Sequence, residues 1–370
     1  MSVRSVSKNR GRAITFHKFL GIGFLAGGIC AATLAADKTG DKPGEKPAAA
    51  QNRAEATAES VSQAVQNVFK LAQASVVKVE GVDSTTHTPV VGTGFFIDPD
   101  GLIYTCYTEG TEGFVVCYGD KKYPAKLLLG DPRSGMGILK IDARTPFLPI
   151  AKSGDLPAAT PVLVAGYPMG QPLTPSLGVV ASIDAGNTDG TFVTRHIRAN
   201  VSVKPGQGGA PLLNLKGEVV GMVVSAGDGL GQSCYALPAG AVQKIRSDFD
   251  RFGEVRHGWI GLIVDKAEAP AGGSDVVISS MIEDSPAVKS GLKTGDIVLQ
   301  IGSKKVTAHN DLFDASFFLT AGDEIPIIVL RNGQKITVKV TAAAEDEPPM
   351  RLPMNADTPA SVGLPLQVPH

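Results

Sequence analysis

Imidazole and thiolate are the side chains that move protons or attack carbonyls near neutral pH, so histidine and cysteine are the first residues to place. Between residues 56 and 255 the histidines are His87 and His196. His87 lies in a polar stretch and reads as a solvated loop residue. His196 opens a strand-like run and reads as a surface or cross-strand residue. Beyond the first 36 residues the cysteines are Cys106, Cys117 and Cys234. Their spacing matches no zinc pattern and no histidine is near enough in sequence to complete one, so neither a metal nor a cofactor is expected. A disulfide between two of them and buried free thiols are both compatible with this spacing. A cysteine nucleophile needs a base or a lowered pKa, and neither is visible beside Cys106 or Cys234.

The elements that must position these residues are mostly strands. The 370 residues carry a net charge of -1, with 43 Gly and 25 Pro spread along the chain. No segment concentrates Lys or Arg with aromatics, which excludes a nucleic-acid partner. One Trp and six Tyr leave the core to Val, Ile, Leu and Ala. Val61, Val65, Val68, Phe69 and Leu71 recur at helical spacing. Short β-type runs follow, among them 75–80, 93–97, 102–105, 114–118, 125–129 and 137–141, then 161–167, 176–183, 196–201 and 218–224. Strands at this spacing, joined by Asp-Gly or Gly-rich turns without helices, predict antiparallel barrels. A helix at 239–249 closes the unit. A second unit has strands near 260–264, 276–278, 297–301, 325–331 and 335–341, with helices near 285–290 and 310–320.

Both ends of the chain differ from these units. A basic start (Arg4, Lys8, Arg10, Arg12, Lys18) and the apolar run 19–35 describe a secretory signal over residues 1–36, with an uncleaved membrane anchor as the alternative. Residues 37–55 read as a flexible linker and 344–370 as a Pro-rich disordered tail. The units between span 56–255 and 256–343.

Several segments of the first unit then agree in order with one family. Gly92-Thr-Gly-Phe-Phe-Ile-Asp-Pro-Asp-Gly101, Gly130-Asp-Pro-Arg133, Ile138-Leu-Lys-Ile-Asp142, Ala165-Gly-Tyr-Pro-Met-Gly170, Ser176-Leu-Gly-Val-Val-Ala-Ser182 and Pro211–Gly221 resemble HtrA-type serine proteases. The resemblance implies a chymotrypsin-like double β-barrel with its site between the barrels. Such enzymes pair a Ser nucleophile with a His base oriented by Asp. The motif Thr-Asn-x-His aligns with Thr105-Cys106-Tyr107-Thr108, placing Thr108 in the His position. Thr-Asp-Leu-Ala aligns with Ser134-Gly135-Met136-Gly137, placing Gly135 in the Asp position. Asn-Pro-Gly-Asn-Ser-Gly-Gly-Pro aligns with Lys204–Pro211, placing Gly208 in the Ser position. None of the three can do the chemistry: Thr is no base near neutral pH, and Gly has no side chain. The turn at Gly208 reads as a plain Gly-rich turn, with a retained oxyanion hole as the alternative.

The second unit resembles a bacterial protease-associated PDZ domain, through Gly258-Trp-Ile-Gly-Leu262, Ser285-Pro-Ala287, Gly291–Val298 and Leu330-Arg-Asn-Gly333. Such domains bind extended, often C-terminal, peptides by adding a strand at a sheet edge. The resemblance places Ile260, Gly261 and Leu262 at the carboxylate-receiving loop. Phe313 and Phe317, at i and i+4, are expected to line the groove, with an aromatic pair at a core edge as the alternative. Leu312, Ala315 and Leu319 form the core stripe, and Asp314 is expected to face solvent.

The leading expectation is a non-catalytic, extracytoplasmic (periplasmic) pseudoprotease that binds peptides or unfolded segments as a scaffold, chaperone-like binder or regulator. An uncleaved signal would tether it to the inner membrane. The resemblance adds a trimer or an active paralogue as partner. The alternative is an active HtrA-type endopeptidase of envelope protein quality control that uses relocated catalytic residues.

Overall fold

The computed structural model describes residues 46–152, 156–184, 193–226, 232–266, 274 and 276–344. The expected signal segment and nearly all of the expected tail lie outside the described residues. No described helix is long and apolar enough to cross a membrane.

Helix α1 (Lys46–Ser75) begins inside the stretch read as a linker. Pro47 costs nothing in the first turn, where amides have no intrahelical acceptor, and the alanines that follow have the highest helix propensity. Val68 and Ala72 are buried, with Val65 and Phe69 packed beside them. Val61 and Leu71, assigned to the same stripe from sequence, are exposed.

The chain then runs through β1 (Val76–Asp83), β2 (Pro89–Phe96), β3 (Leu102–Cys106), β4 (Thr111–Tyr118), β5 (Lys121–Pro124), β6 (Lys126–Asp131) and β7 (Met136–Lys140). These pair in the order β5-β4-β1-β2-β3-β7-β6. Because side chains alternate across a strand, Val77, Phe96, Ile103, Val116 and Leu139 fill one core. Their neighbours Val76, Phe95, Leu102, Tyr104 and Ile138 fill another, shared with the next barrel. Burial of both strand faces explains apolar doublets such as Phe95-Phe96 and Ile138-Leu139.

The next six strands, β8 (Pro161–Gly166), β9 (Thr174–Asp184), β10 (His196–Asn200), β11 (Pro211–Leu213), β12 (Val219–Ala226) and β13 (Cys234–Pro238), close into a barrel ordered β10-β13-β12-β11-β8-β9. Val162, Val164, Val180, Ile197, Leu212 and Val223 fill it. Helix α2 (Ala239–Phe252) lays Ala241, Val242 and Ile245 on the inter-barrel core. It ends at Gly253, whose φ of 76° suits a glycine and whose N–H donates to Phe249 O at 2.8 Å.

The last unit comprises β14 (Gly258–Trp259), β15 (Leu262–Lys266), β16 (Val276–Met281), α3 (Pro286–Ser290), β17 (Ile297–Ile301), β18 (Lys304–Lys305), α4 (His309–Phe317), β19 (Glu324–Arg331), β20 (Gln334–Thr341) and β21 (Ala343–Ala344). Its main sheet runs β15-β16-β17-β19-β20, so β15 is an edge strand with one side unpaired among the described residues. Ile278, Val298, Ile327, Val329 and Val340 form its core, with Ala315 and Leu319 packed in as expected and Leu312 partly buried beside them. The mostly β fold, trypsin-like and then PDZ, is the one anticipated. Strands β5, β11 and β13 have no counterpart among the runs expected from sequence; β5 and β11, of four and three residues, are too short to show alternation.

Candidate functional site

The cleft between the barrels is built by the ends of β3, β7 and the turn before β11. Thr108 is exposed, and its carbonyl accepts from Thr111 N (3.1 Å), so the chain turns at once into β4. Gly135 has a φ of 70°, and a Cβ built there would meet nothing within 4 Å. Its carbonyl instead accepts from Tyr107 N at 2.8 Å. The Tyr107 ring lies over Gly130 so closely that a Cβ there would come within 2.5 Å of it. A bulky ring is thus seated on β6, ahead of the turn that carries Gly135, at a site open only to glycine.

Gly208 is held by its backbone. Its carbonyl accepts from Thr93 N (2.9 Å), and the Thr93 hydroxyl donates to Gly206 O (2.7 Å). Gly206 and Gly209 take φ values of 91° and 85°, in the left-handed region where a side chain is strained. No described backbone carbonyl accepts from Gly206 N or Gly208 N. Among the described residues, and chain neighbours apart, the atoms within 4 Å of where a Gly208 side chain would begin are Cys106 Cβ and Sγ, the sulfur at 3.6 Å. That thiol donates to Val223 O at 3.3 Å, and burial pushes its pKa up to about 12. Burial does the same to Cys234. All three described cysteines are free.

The histidines stand elsewhere. His87 sits exposed in a turn at a φ of 55°, as a solvated loop residue would. Of the two readings of His196, the structure has the cross-strand one: it lies opposite Asp184 of β9 and is 2% exposed, not on the surface. Its Nδ1 donates to Thr194 O (2.9 Å), and burial lowers its pKa to about 4. The period-two pattern marked His196 as strand but could not say that the next unit would cover the strand's start.

Ser, Asp and His do meet at another place, which sequence reasoning missed. Ser134 Oγ donates to Asp131 Oδ2 (2.5 Å), and His257 Nε2 lies 3.2 Å from Asp131 Oδ1. Burial works against the Asp131 charge, but the hydrogen bonds from His257 and Ser134 outweigh it and hold the carboxyl below its ordinary pKa. The serine proton points at a weakly basic carboxylate rather than an imidazole, so this is not the relay of a serine hydrolase. A cavity of about 550 Å³ is bounded by Gln73, Lys78, Cys117, Tyr167 and Gln171, and neither Gly208 nor the Ser134–Asp131–His257 group lines it. Among the described residues no cluster of His, Cys, Asp and Glu could hold a metal ion.

In the second unit, Ile260, Gly261 and Leu262 form a loop running into edge strand β15. Gly261 has a φ of 80°, and a Cβ on it would lie 2.4 Å from Ser285 Cβ. Ile260 O accepts from Ala287 N (2.9 Å) and Gly261 O from Ile282 N (3.0 Å), while no described backbone carbonyl accepts from their own amides. Helix α4 lies beside β15. Phe313 is 57% exposed on it, its ring edge-on to His309 with centroids 5.5 Å apart. Phe317 corrects its expectation, being fully buried with residues of both barrels instead of lining the groove. Asp314 does not face solvent either. It is buried and accepts from Thr194 Oγ1 (2.7 Å), Arg195 N (3.1 Å) and Lys304 Nζ (3.0 Å).

Comparison with known proteins agrees with this architecture. The trypsin-like peptidase domain family matches residues 92–222 and the PDZ domain family residues 258–342. A probable periplasmic serine endoprotease, DegP-like, from Pseudomonas fluorescens is 31% identical over 274 residues, covering 70% of this chain and 57% of that protein. The chain is HtrA-like. A DegP-like relative from Marinomonas sp. is 31% identical over 275 residues, 70% of this chain and 58% of its own length. The HtrA-like chain therefore spans under two thirds of these relatives. Among solved structures, the HtrA-type protease AlgW with tripeptide matches at a TM-score of 0.65 and 22% identity, over 77% of this chain and 98% of that one. The serine endoprotease from Yersinia pestis matches at 0.57 and 24%, over 76% and 98%. These two likenesses concern the fold.

Proposed function

We propose that this HtrA-like chain is a non-catalytic peptide-binding protein of the periplasm, a pseudoprotease whose PDZ groove takes extended or C-terminal peptide segments. One observation carries the reading: among the described residues, and chain neighbours apart, the only side chain within 4 Å of where a Gly208 side chain would begin is the half-buried thiol of Cys106, and no base is among those atoms. A thiol with a pKa of about 12 is almost wholly protonated near neutrality and is a poor nucleophile. His196, buried and bonded to a carbonyl, supplies no alternative base within reach of that position. Loss of Ser or His alone lowers turnover by on the order of 10⁶ in a well-studied serine protease.

Peptide binding draws support from backbone groups instead. The unpaired edge of β15 can accept an added strand, and the Ile260 and Gly261 amides can receive a carboxylate. AlgW, a structural neighbour, has been solved with a tripeptide and with a decapeptide. The periplasmic setting follows the DegP-like relatives and the basic-then-apolar N-terminal segment. Assembly as a trimer, or with an active relative, belongs to the same proposal.

The deciding experiment incubates the chain, purified free of other proteases, with unfolded casein and with a fluorophosphonate probe. No cleavage and no labelling are expected. Sustained cleavage abolished by a point substitution in either barrel would sink the reading and favour the alternative, an endopeptidase with relocated catalytic residues.

A further inference from the structure

Helix α4 has three faces, and only one of them belongs to the groove. Ala315 packs into the PDZ core, as does Leu319 just past the helix end. His309 and Phe313 are exposed, and the helix lies beside β15. The remaining face is taken up by the barrel. Phe317 joins the core cluster containing Val242, Ile245, Leu213 and Leu237, and Lys244 Nζ stands 5.9 Å from its ring centroid. Asp314 receives the Thr194 hydroxyl and the Arg195 amide, and the Arg195 guanidinium pairs with Asp311. Immediately after the helix, Thr320 Oγ1 donates to buried Asp248 of α2 (2.9 Å), and Asp323 takes two bonds from Arg251 (2.9 and 2.7 Å).

A groove between a strand and a helix is only as well defined as the distance between them. The strand side is fixed by the PDZ sheet, whereas the helix side is held from two directions: by the PDZ domain through Leu312, Ala315 and the Lys304–Asp314 pair, and by the barrel unit through Asp311, Asp314 and Phe317. We propose that the barrel sets the width of the peptide groove, with Thr194, through Asp314, and the α2 surface, through Phe317, acting as positioning elements for α4. On this view the catalytically vacant barrel is a working part of the binding site and not a spacer. By linkage, a peptide that shifts α4 must in turn change the environment of residues 194–195. The proposal rests on reading the groove as a peptide site.

The test uses the chain from residue 37 onward and two variants: Thr194→Val, which keeps shape but removes the donor, and Thr194→Ser, which restores it. The probe is a fluorescein-labelled decapeptide library with free C-terminal carboxylates and Ala, Val, Leu or Phe as last residue, read by fluorescence anisotropy. Hydrogen exchange of residues 309–317, against residues 324–341 as internal reference, is measured in parallel. Thr194→Val is expected to weaken the tightest library member by roughly tenfold and to speed exchange in α4 but not in β19 and β20, and Thr194→Ser to restore both. Should Thr194→Val not fold, Thr194→Ala provides the same comparison, because it removes the same donor and leaves Asp314 and its Lys304 pair in place. Affinity within about twofold of wild type together with unchanged α4 exchange would overturn the proposal. If the wild type binds no member of the library, the peptide-binding reading fails, while the exchange arm still decides whether the barrel holds α4.

Discussion

The two clefts of this molecule have kept different things. In the barrel cleft the glycine turn at 206–209 is held by Thr93 and Val223, and Thr108, Gly135 and Gly208 stand where the family resemblance expects His, Asp and Ser. The PDZ groove never depended on special side chains, because an edge strand and two amides supply its polar contacts. Catalysis needs imidazole, hydroxyl and carboxylate in register within hydrogen-bond reach, whereas strand addition needs only an exposed ladder of N–H and C=O groups. Substitution therefore removes the first capacity easily and the second only by deforming the chain.

The sharpest way to break this contrast is to attack the residue common to both regions. Truncating Phe317, fully buried in a core cluster that includes barrel residues and with Lys244 of α2 near its ring, should cost about 3–5 kcal/mol. Urea unfolding should show it in the barrel transition as well as in the PDZ domain. If only the PDZ transition moves, the ring does not join the two regions.

Gly261→Ala tests whether the groove relies on backbone form. At a φ of 80° and 2.4 Å from Ser285 Cβ, the added methyl should cost about 1–3 kcal/mol and abolish measurable peptide binding while leaving the barrel intact. Retained affinity would mean that the carboxylate loop lies elsewhere.

The barrel should also answer to acid through a histidine that does no catalysis. His196 has a folded pKa of about 4 against an ordinary 6.5, so between these values the unfolded chain binds the extra proton. Stability must then fall as pH drops through that window, by about 2 kcal/mol between pH 7 and pH 5 from this group. In His196→Asn the pH dependence over that range should flatten, measured by urea unfolding at both pH values.

The smallest expected effect is none. Gly208→Ser should remain inert to fluorophosphonate, because only Cys106 stands beside the new hydroxyl. In the same native protein, maleimide should label Cys117 ahead of Cys106 and Cys234, whose thiols burial holds near 12. Rapid labelling of Cys106 would reopen the case for a relocated nucleophile.

Much of this was legible in the residues themselves. The order of strands, the PDZ motif and the identity of Thr108, Gly135 and Gly208 at the triad positions come from local patterns and spacing. The helix carrying Phe313, Asp314 and Phe317 was legible too, but not the roles of its faces. A period of 3.6 residues says which side chains share a face and cannot say what that face meets. Phe313 and Phe317 were therefore paired in the groove, and Asp314 was given to water.

By itself, then, the sequence determined that this HtrA-like chain has no Ser, His or Asp where its family resemblance would put them. It also pointed to two folded units, 56–255 and 256–343. Only the tertiary structure decided that a thiol stands beside the empty nucleophile position, that Ser134, Asp131 and His257 meet without forming a relay, and that α4 is shared between barrel and PDZ domain. The physical reason is one of range. A missing functional group is visible at a single position, whereas a contact between Thr194 and Asp314 joins residues 120 positions apart and exists only once both units have folded against each other.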